Sequence, residues 1–196
     1  MNTPDGAWLR LAAAFAGASA LAWLLPAPRL DWQPALALHE PWRAFTGAFV
    51  HWSPLHLGGN LLGTAVVAGL GAAARLPLRA TLAWLAAWPL TQAGLAVQPA
   101  LVHYGGLSGV LHAGVAVAAL WLALRESGRR QALGVCVMAG LLVKVVLEDP
   151  WGSPLRMSPF WDIATAPLAH ATGSLAGLLC AGLALATTPR HRQSGP

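Results

Sequence analysis

The feature that most constrains this chain is the length of its stretches without a charge. Leu11 to Pro28, Leu55 to Ala74, Ala80 to Leu124 and Ile163 to Pro189 contain no Asp, Glu, Lys or Arg. A helix needs roughly 20 mostly apolar residues to cross the hydrocarbon layer of a bilayer. The run from Ala80 to Leu124 suffices for two crossings and is broken by Gln98, Pro99, His103, Gly105 and Gly106, a polar turn. Gln131 to Leu147 carries one charge, Lys144. Composition agrees, with 10% charged residues where soluble domains carry about 25%, and a mean hydropathy of +0.56. The expected fold class is therefore an all-α membrane protein. It has six transmembrane helices near residues 7–25, 55–74, 80–97, 106–124, 131–147 and 167–187. Residues 1–188 read as a single domain and 189–196 as a short basic tail.

Charge sets the orientation. With the N-terminus in the cytoplasm, that side holds Arg10, Arg75, Arg79, Arg125, Arg129, Arg130, Arg190 and Arg192, and the other side only Arg29, Arg43 and Arg156. Short cytoplasmic loops carry such a Lys/Arg excess, so both termini are expected in the cytoplasm. The net charge of +5 is not a nucleic-acid signal, because the basic residues sit at helix ends rather than on one face. Asp31, Glu40, Glu148, Asp149 and Asp162 fall on the outer side. Trp23, Trp32, Trp42, Trp52, Trp151 and Trp161 are expected near the outer boundary, where indole rings prefer to lie. Cys136 and Cys180 lie inside apolar spans and suggest neither a disulfide framework nor a metal site. The first span lacks a basic leader and is long for a signal sequence, so it reads as a retained helix.

The outer links are the long ones. Pro26 to Pro54 mixes apolar and polar residues, which suggests short helices lying in the membrane plane. Glu148 to Ala166 contains Pro150, Gly152, Pro154 and Pro159 and reads as a flap. Long loops are more often functional than structural; simple tethering is the plainer reading.

Polar side chains inside membrane proteins face an interior or a wet cavity. Those of interest are His56, Asn60, Ser108, His112 and His170. Counted to the basic residue at the cytoplasmic end of its helix, Asn60 is 15 positions away, Ser108 17, His56 19 and His170 20. At about 1.5 Å per residue they share a slice about 22–30 Å above the inner boundary, just under the outer surface. Ser108, in Gly105-Gly106-Leu107-Ser108-Gly109, opens a helix, where backbone N–H groups favour developing negative charge. Gly106 and Gly109 leave room for a substrate backbone. A serine hydroxyl needs a base to become a nucleophile, and His170 offers an imidazole at the right depth. His56 and Asn60, four apart on one helix face, are neutral donors suited to an oxyanion. Each residue also has a plainer reading: a serine bonded to its own helix, an interfacial histidine, or His56 and Asn60 gluing helices together. Gly173 and Gly177 form a small-xxx-small packing face.

Four blocks in this order resemble the rhomboid family of intramembrane serine proteases. They are Trp42-Arg43 with Thr46, Phe49 and His51; His56 with Asn60; Gly106-Leu107-Ser108-Gly109; and Ala169-His170-Ala171-Thr172-Gly173 with Gly177. The resemblance covers about residues 40 to 180 and implies a six-helix rhomboid-like bundle. It implies Ser108 as nucleophile and His170 as base, a dyad without an acid. His56, Asn60 and the Ser108 N–H would form the oxyanion hole, and Gly173 and Gly177 would let the last helix approach the fourth. Many rhomboids have Tyr one turn after the serine, where this chain has His112. The run Gly106-Leu107-Ser108-Gly109-Val110-Leu111-His112 resembles the rhombosortase subfamily of Gram-negative bacteria, thought to trim Gly-Gly-containing C-terminal anchors. The resemblance thus implies a bacterial inner-membrane enzyme open to the periplasm. Its partners would be membrane-anchored protein substrates and the lipid bilayer, with no nucleic acid, cofactor or metal.

His112 lies four residues after Ser108 on the same face. Stacking on His170, contacting substrate and simple packing all remain open for it. Lys144 and Glu148 are spaced to pair, or Lys144 snorkels outward; Lys144 is left out of the catalytic set. Two further classes compete with the protease: an inactive relative that binds membrane helices, and a transporter. The transporter is the weaker, since the spans lack an acidic residue and inverted halves.

Overall fold

The computed structural model describes residues 5–187. Among them are seven α-helices and no strand: α1 (Asp5–Ala22), α2 (Arg43–Thr46), α3 (Pro54–Ala73), α4 (Leu78–Ala93), α5 (Ser108–Arg125), α6 (Gly128–Leu147) and α7 (Pro167–Ala186). Four of them, α3, α5, α6 and α7, are long and apolar enough to cross a membrane. In α1 the apolar stretch is shorter, Gly6–Ala22, and α4 has 16 residues with Pro89 inside it.

Helix α5 is the centre of the bundle. Eleven of its 18 residues are buried, from Gly109 to Leu122. Helix α7 lies against it through glycine. A Cβ on Gly173 would collide with the Gly109 carbonyl oxygen, one on Gly177 with that of Ala113, and one on Gly109 with Ala169 O at 2.6 Å. With no side chain in the seam, the two backbones approach closely. Helix α1 packs on α3 and α4 through aromatics. Trp8 stacks on Trp84 with ring centroids 4.4 Å apart, its indole N–H donates to Val67 O at 2.9 Å, and Phe15 meets Trp84 edge-on at 5.2 Å. Helix α6 is peripheral: of its 20 residues only Gly134, Leu141 and Val145 are buried.

Three arginines gather at one end of the bundle and donate to helix-terminal carbonyls. Arg79 bonds Thr187 O at 2.8 Å, Arg125 bonds Leu185 O at 2.7 Å and Arg130 bonds Ala74 O at 2.7 Å. Cations at helix C-termini complement the unsatisfied carbonyls and the dipole there. Arg190 and Arg192, with the tail 189–196, lie outside the described residues.

At the other end, the link between α1 and α3 forms short helical turns at Ala27–Arg29, Pro34–Leu36 and Gly47–Phe49, besides α2. A buried ion cluster holds it together. Asp31, fully buried, pairs with Arg43 at 3.0 Å and with His103 at 2.5 Å. The sequence expectation is corrected at three places. Trp32 is only 2% exposed and so is not a boundary anchor; its backbone pairs with Tyr104 in an isolated bridge and its ring joins Leu95, Leu101 and Ala169. The third apolar segment stays α-helical only to Ala93 and tightens into a 3₁₀ turn over Gly94–Val97. The fourth begins at Ser108 rather than 106, because Gly106 has φ +137°, a value no helix accepts.

Candidate active site

The loop before α5 is held on both sides. Trp32 N donates to Tyr104 O and Tyr104 N to Trp32 O, each at 2.8 Å, and Gly106 N donates to Gly47 O at 3.1 Å. The Tyr104 hydroxyl donates to Gly106 O at 3.2 Å. Burial pushes that phenol up to about 12, so it stays a donor. These bonds fix the positive-φ turn at Gly106. A side chain there would be strained, and its Cβ would meet His56 Nε2 at 2.8 Å. Ser108 is thus delivered as the first residue of α5, where the opening N–H groups have no partner in the helix.

Ser108 Oγ lies 3.0 Å from His170 Nε2. His170 stands one turn before Gly173 on α7, so the glycine seam sets this distance. Its other nitrogen, Nδ1, is 2.7 Å from Glu148 Oε2, just past the end of α6. Glu148 Oε1 accepts from Lys144 Nζ at 2.6 Å. Burial alone pushes the Glu148 carboxyl up, but hydrogen bonds and charge from His170 and Lys144 outweigh it and hold it at about 2. The Glu148 contact was not visible in the sequence, where Glu148 had only a Lys144 pairing four residues away to recommend it.

His112 stacks on His170 with centroids 4.1 Å apart and planes 11° from parallel. Its Nδ1 lies 2.7 Å from Ser108 O, which makes Nδ1 the protonated nitrogen. Of the readings open for His112, stacking is the one the geometry displays.

His56 and Asn60 are buried on α3 and line the same cavity as Ser108 and His170. Ser53 caps α3, its Oγ accepting from His56 N at 3.0 Å. Trp52 N donates to His56 Nδ1 at 3.3 Å, so neutral His56 carries its proton on Nε2, the atom facing Gly106. Asn60 Nδ2 donates to His56 O at 3.2 Å and lies 3.9 Å from the position of a Gly106 Cβ. Both donors therefore point at the turn that carries Ser108.

The cavity has a volume of about 1040 Å³ and is bounded by α3, α5, α6 and the segment 148–166. That segment is tied across it. Ser53 Oγ donates to Asp162 Oδ1 at 2.7 Å, Arg156 and Thr165 pair through their backbones at 2.8 Å, and the Trp161 indole lies where Gly59 leaves room. His112, Glu148 and His170 are close enough to hold a metal ion, their donor atoms lying within 4.8 Å. Yet the Lys144 ammonium already bonds Glu148 and stands 3.5 Å from His170 Nδ1. A cation there would be repelled, so the donor set does not fit a metal.

A hydroxyl, an imidazole and a set of N–H donors around one cavity can perform acyl transfer. Comparison with curated protein sequences finds no match. The family model described as Rhomboid domain matches residues 38–187, from the ion-clamped outer link to the end of α7. The chain therefore belongs to the rhomboid family of intramembrane serine proteases, multi-pass membrane proteins that act on membrane proteins within the bilayer.

Proposed function

We propose that this chain is an active rhomboid protease that cuts single-pass membrane proteins near their outer end with Ser108 and His170. The observation that carries the reading is the 3.0 Å contact between Ser108 Oγ and His170 Nε2 inside a cavity that also holds His56 and Asn60. Ser108 attacks the scissile carbonyl while its proton passes to His170 Nε2. The oxyanion is met by His56 Nε2–H, Asn60 Nδ2–H and the Ser108 N–H. His170 then gives the proton to the leaving amine, and the acyl-enzyme is hydrolysed by water that His170 deprotonates.

The topology proposed is six crossings, with residues 1–188 as one domain, the tail 189–196 and both termini in the cytoplasm. The arginine bonds at the end opposite Ser108 support it. Helices α1 and α4 cross despite their lower apolar length because the aromatic seam of Trp8, Trp84 and Phe15 packs them into the bundle. The site then opens to the outer side, the periplasm of a bacterial inner membrane. His112 in place of tyrosine supports a rhombosortase-like role, trimming proteins that end in a Gly-Gly motif, a membrane helix and a basic tail. Glycine lowers the cost of unwinding a substrate helix, by about 1 kcal/mol per residue relative to alanine, which suits a helix that must enter the cavity extended.

The test is mass spectrometry of Gly-Gly-tailed proteins expressed with the wild type or with Ser108→Ala. Trimmed ends with the wild type and intact ends with the variant are expected. Identical ends in both would remove the reading.

A further inference from the structure

The chemistry proposed above uses two side chains, but His170 is held by a third. Unless its proton sits on Nδ1, neutral imidazole cannot accept from Ser108 through Nε2. Two groups compete for Nδ1, and both ride on α6. Lys144 Nζ, 3.5 Å away, is a pure donor; bonding to it would force the proton onto Nε2 and leave Ser108 without a base. Glu148 Oε2, 2.7 Å away, accepts and so holds the proton on Nδ1. The carboxylate also binds Lys144 through its second oxygen at 2.6 Å, a far shorter contact than the 3.5 Å between the ammonium and the ring. The remaining neighbours of His170 do not alter this choice. His112 lies flat on the ring at 4.1 Å, and Arg156 donates to the Glu148 backbone carbonyl at 2.8 Å rather than to its carboxylate.

We propose that Glu148 is the acid of a Ser108–His170–Glu148 triad, a positioning residue that sets the tautomer of His170 and stabilises the imidazolium formed during attack. In the step itself the Ser108 proton moves to Nε2, the Nδ1 proton stays on the ring, and Glu148 remains ionised throughout. Ser108 and His170 are locked by the α5–α7 glycine seam, whereas Glu148 is carried by the peripheral helix α6. The acid is the one member whose place depends on how α6 sits.

This rests on the protease reading, and the experiment separates the two. The full chain in nanodiscs is compared as wild type, Glu148→Gln, Glu148→Asp, Ser108→Ala and the double variant Glu148→Gln/Lys144→Met. Measured are kcat and KM on a membrane-anchored peptide, the acylation rate with a fluorophosphonate, the melting temperature, and the ¹⁵N resonances of the His170 ring. A charge-assisted hydrogen bond of this kind corresponds to about a 10- to 100-fold effect on rate. Glu148→Gln is expected to lower kcat and acylation by that factor with KM unchanged. Glu148→Asp should recover part of the loss, and so should removal of the competing ammonium in the double variant. The wild-type ring should show the Nδ1–H form, and Glu148→Gln a shift toward Nε2–H. Wild-type rates in Glu148→Gln, or a loss that neither Glu148→Asp nor the double variant relieves, overturns the triad while leaving the protease standing. Equal labelling of wild type and Ser108→Ala removes the protease instead. The ring resonances need no turnover, and an unchanged Nδ1–H signal in Glu148→Gln overturns the orienting role on its own.

Discussion

Replacing Gly173 by alanine is the sharpest probe of how the fold holds its two reactive groups together. In an exposed helix interior the change would stabilise by about 1 kcal/mol. Here the added methyl meets backbone. It would strike the Gly109 carbonyl oxygen and stand 2.7 Å from the Gly109 carbonyl carbon and 3.1 Å from its Cα, against an ordinary contact of at least 3.4 Å. Backbone cannot rotate aside, so α7 must retreat from α5 by about 1 Å, a displacement of the kind that costs 1–3 kcal/mol in a packed core. His170 is three residues away on the same helix, and its 3.0 Å contact with Ser108 would open to about 4 Å, beyond hydrogen-bond range. A misplacement of that size lowers catalysis by roughly 100-fold, or about 2.7 kcal/mol in the barrier. The control is Gly182→Ala on the same helix, where an added Cβ meets nothing within 4 Å. Fluorophosphonate labelling of both variants, together with melting curves in detergent, measures rate and stability side by side. Gly173→Ala should label about 100-fold more slowly and melt lower, while Gly182→Ala should label as the wild type does and melt no lower. Wild-type labelling by Gly173→Ala, or an equal loss in Gly182→Ala, would refute the argument that the glycine seam sets the distance.

Three other outcomes are expected. Asn60→Ala should lower kcat by about 100-fold with little change in folding, the effect of losing one oxyanion donor; a change confined to KM would contradict the role. Asp31→Ala removes one of the two carboxylates paired with the buried Arg43, Glu40 being the other, and should destabilise by about 1–3 kcal/mol, read as a lower melting temperature with loosened protection of the Tyr104 amide. Glu148 carries a pH signature. Its carboxyl lies at about 2 in the folded chain against an ordinary 4.5. A lowered value stabilises the fold fully above about 4.5 and loses that contribution as pH falls through about 2. The stability difference between wild type and Glu148→Gln should therefore be constant at neutral pH and shrink below 4.5; a difference that grew on acidification would contradict it.

What was readable in advance follows from which forces act locally. The apolar runs marked six membrane spans; among the described residues six long helices occur at those places, four of them long and apolar enough to cross a membrane, because hydropathy is written residue by residue. That Ser108, His170, His56 and Asn60 come together around one cavity was readable because short spacings and counts along their helices place them at a common level. Glu148 was readable only as a partner of Lys144, four residues away. Its contact with His170 spans 22 residues and depends on how α6 leans on the bundle, which spacing does not encode. Trp32 misled for a similar reason. The preference of indole for the interface is statistical, and a backbone bridge to Tyr104 overrode it by drawing the ring inward. The end of α4 shifted because the segment tightens into 3₁₀ turns at Gly94, where a Cβ would press on Thr172 of α7, a contact between helices far apart in the chain.

Activation of Ser108 by His170 is tested by peptide mapping after reaction with a fluorophosphonate. One stoichiometric adduct is expected, on the peptide containing Ser108, abolished by Ser108→Ala and by His170→Ala. An unlabelled Ser108, or equal labelling of the protein after either substitution, would contradict it.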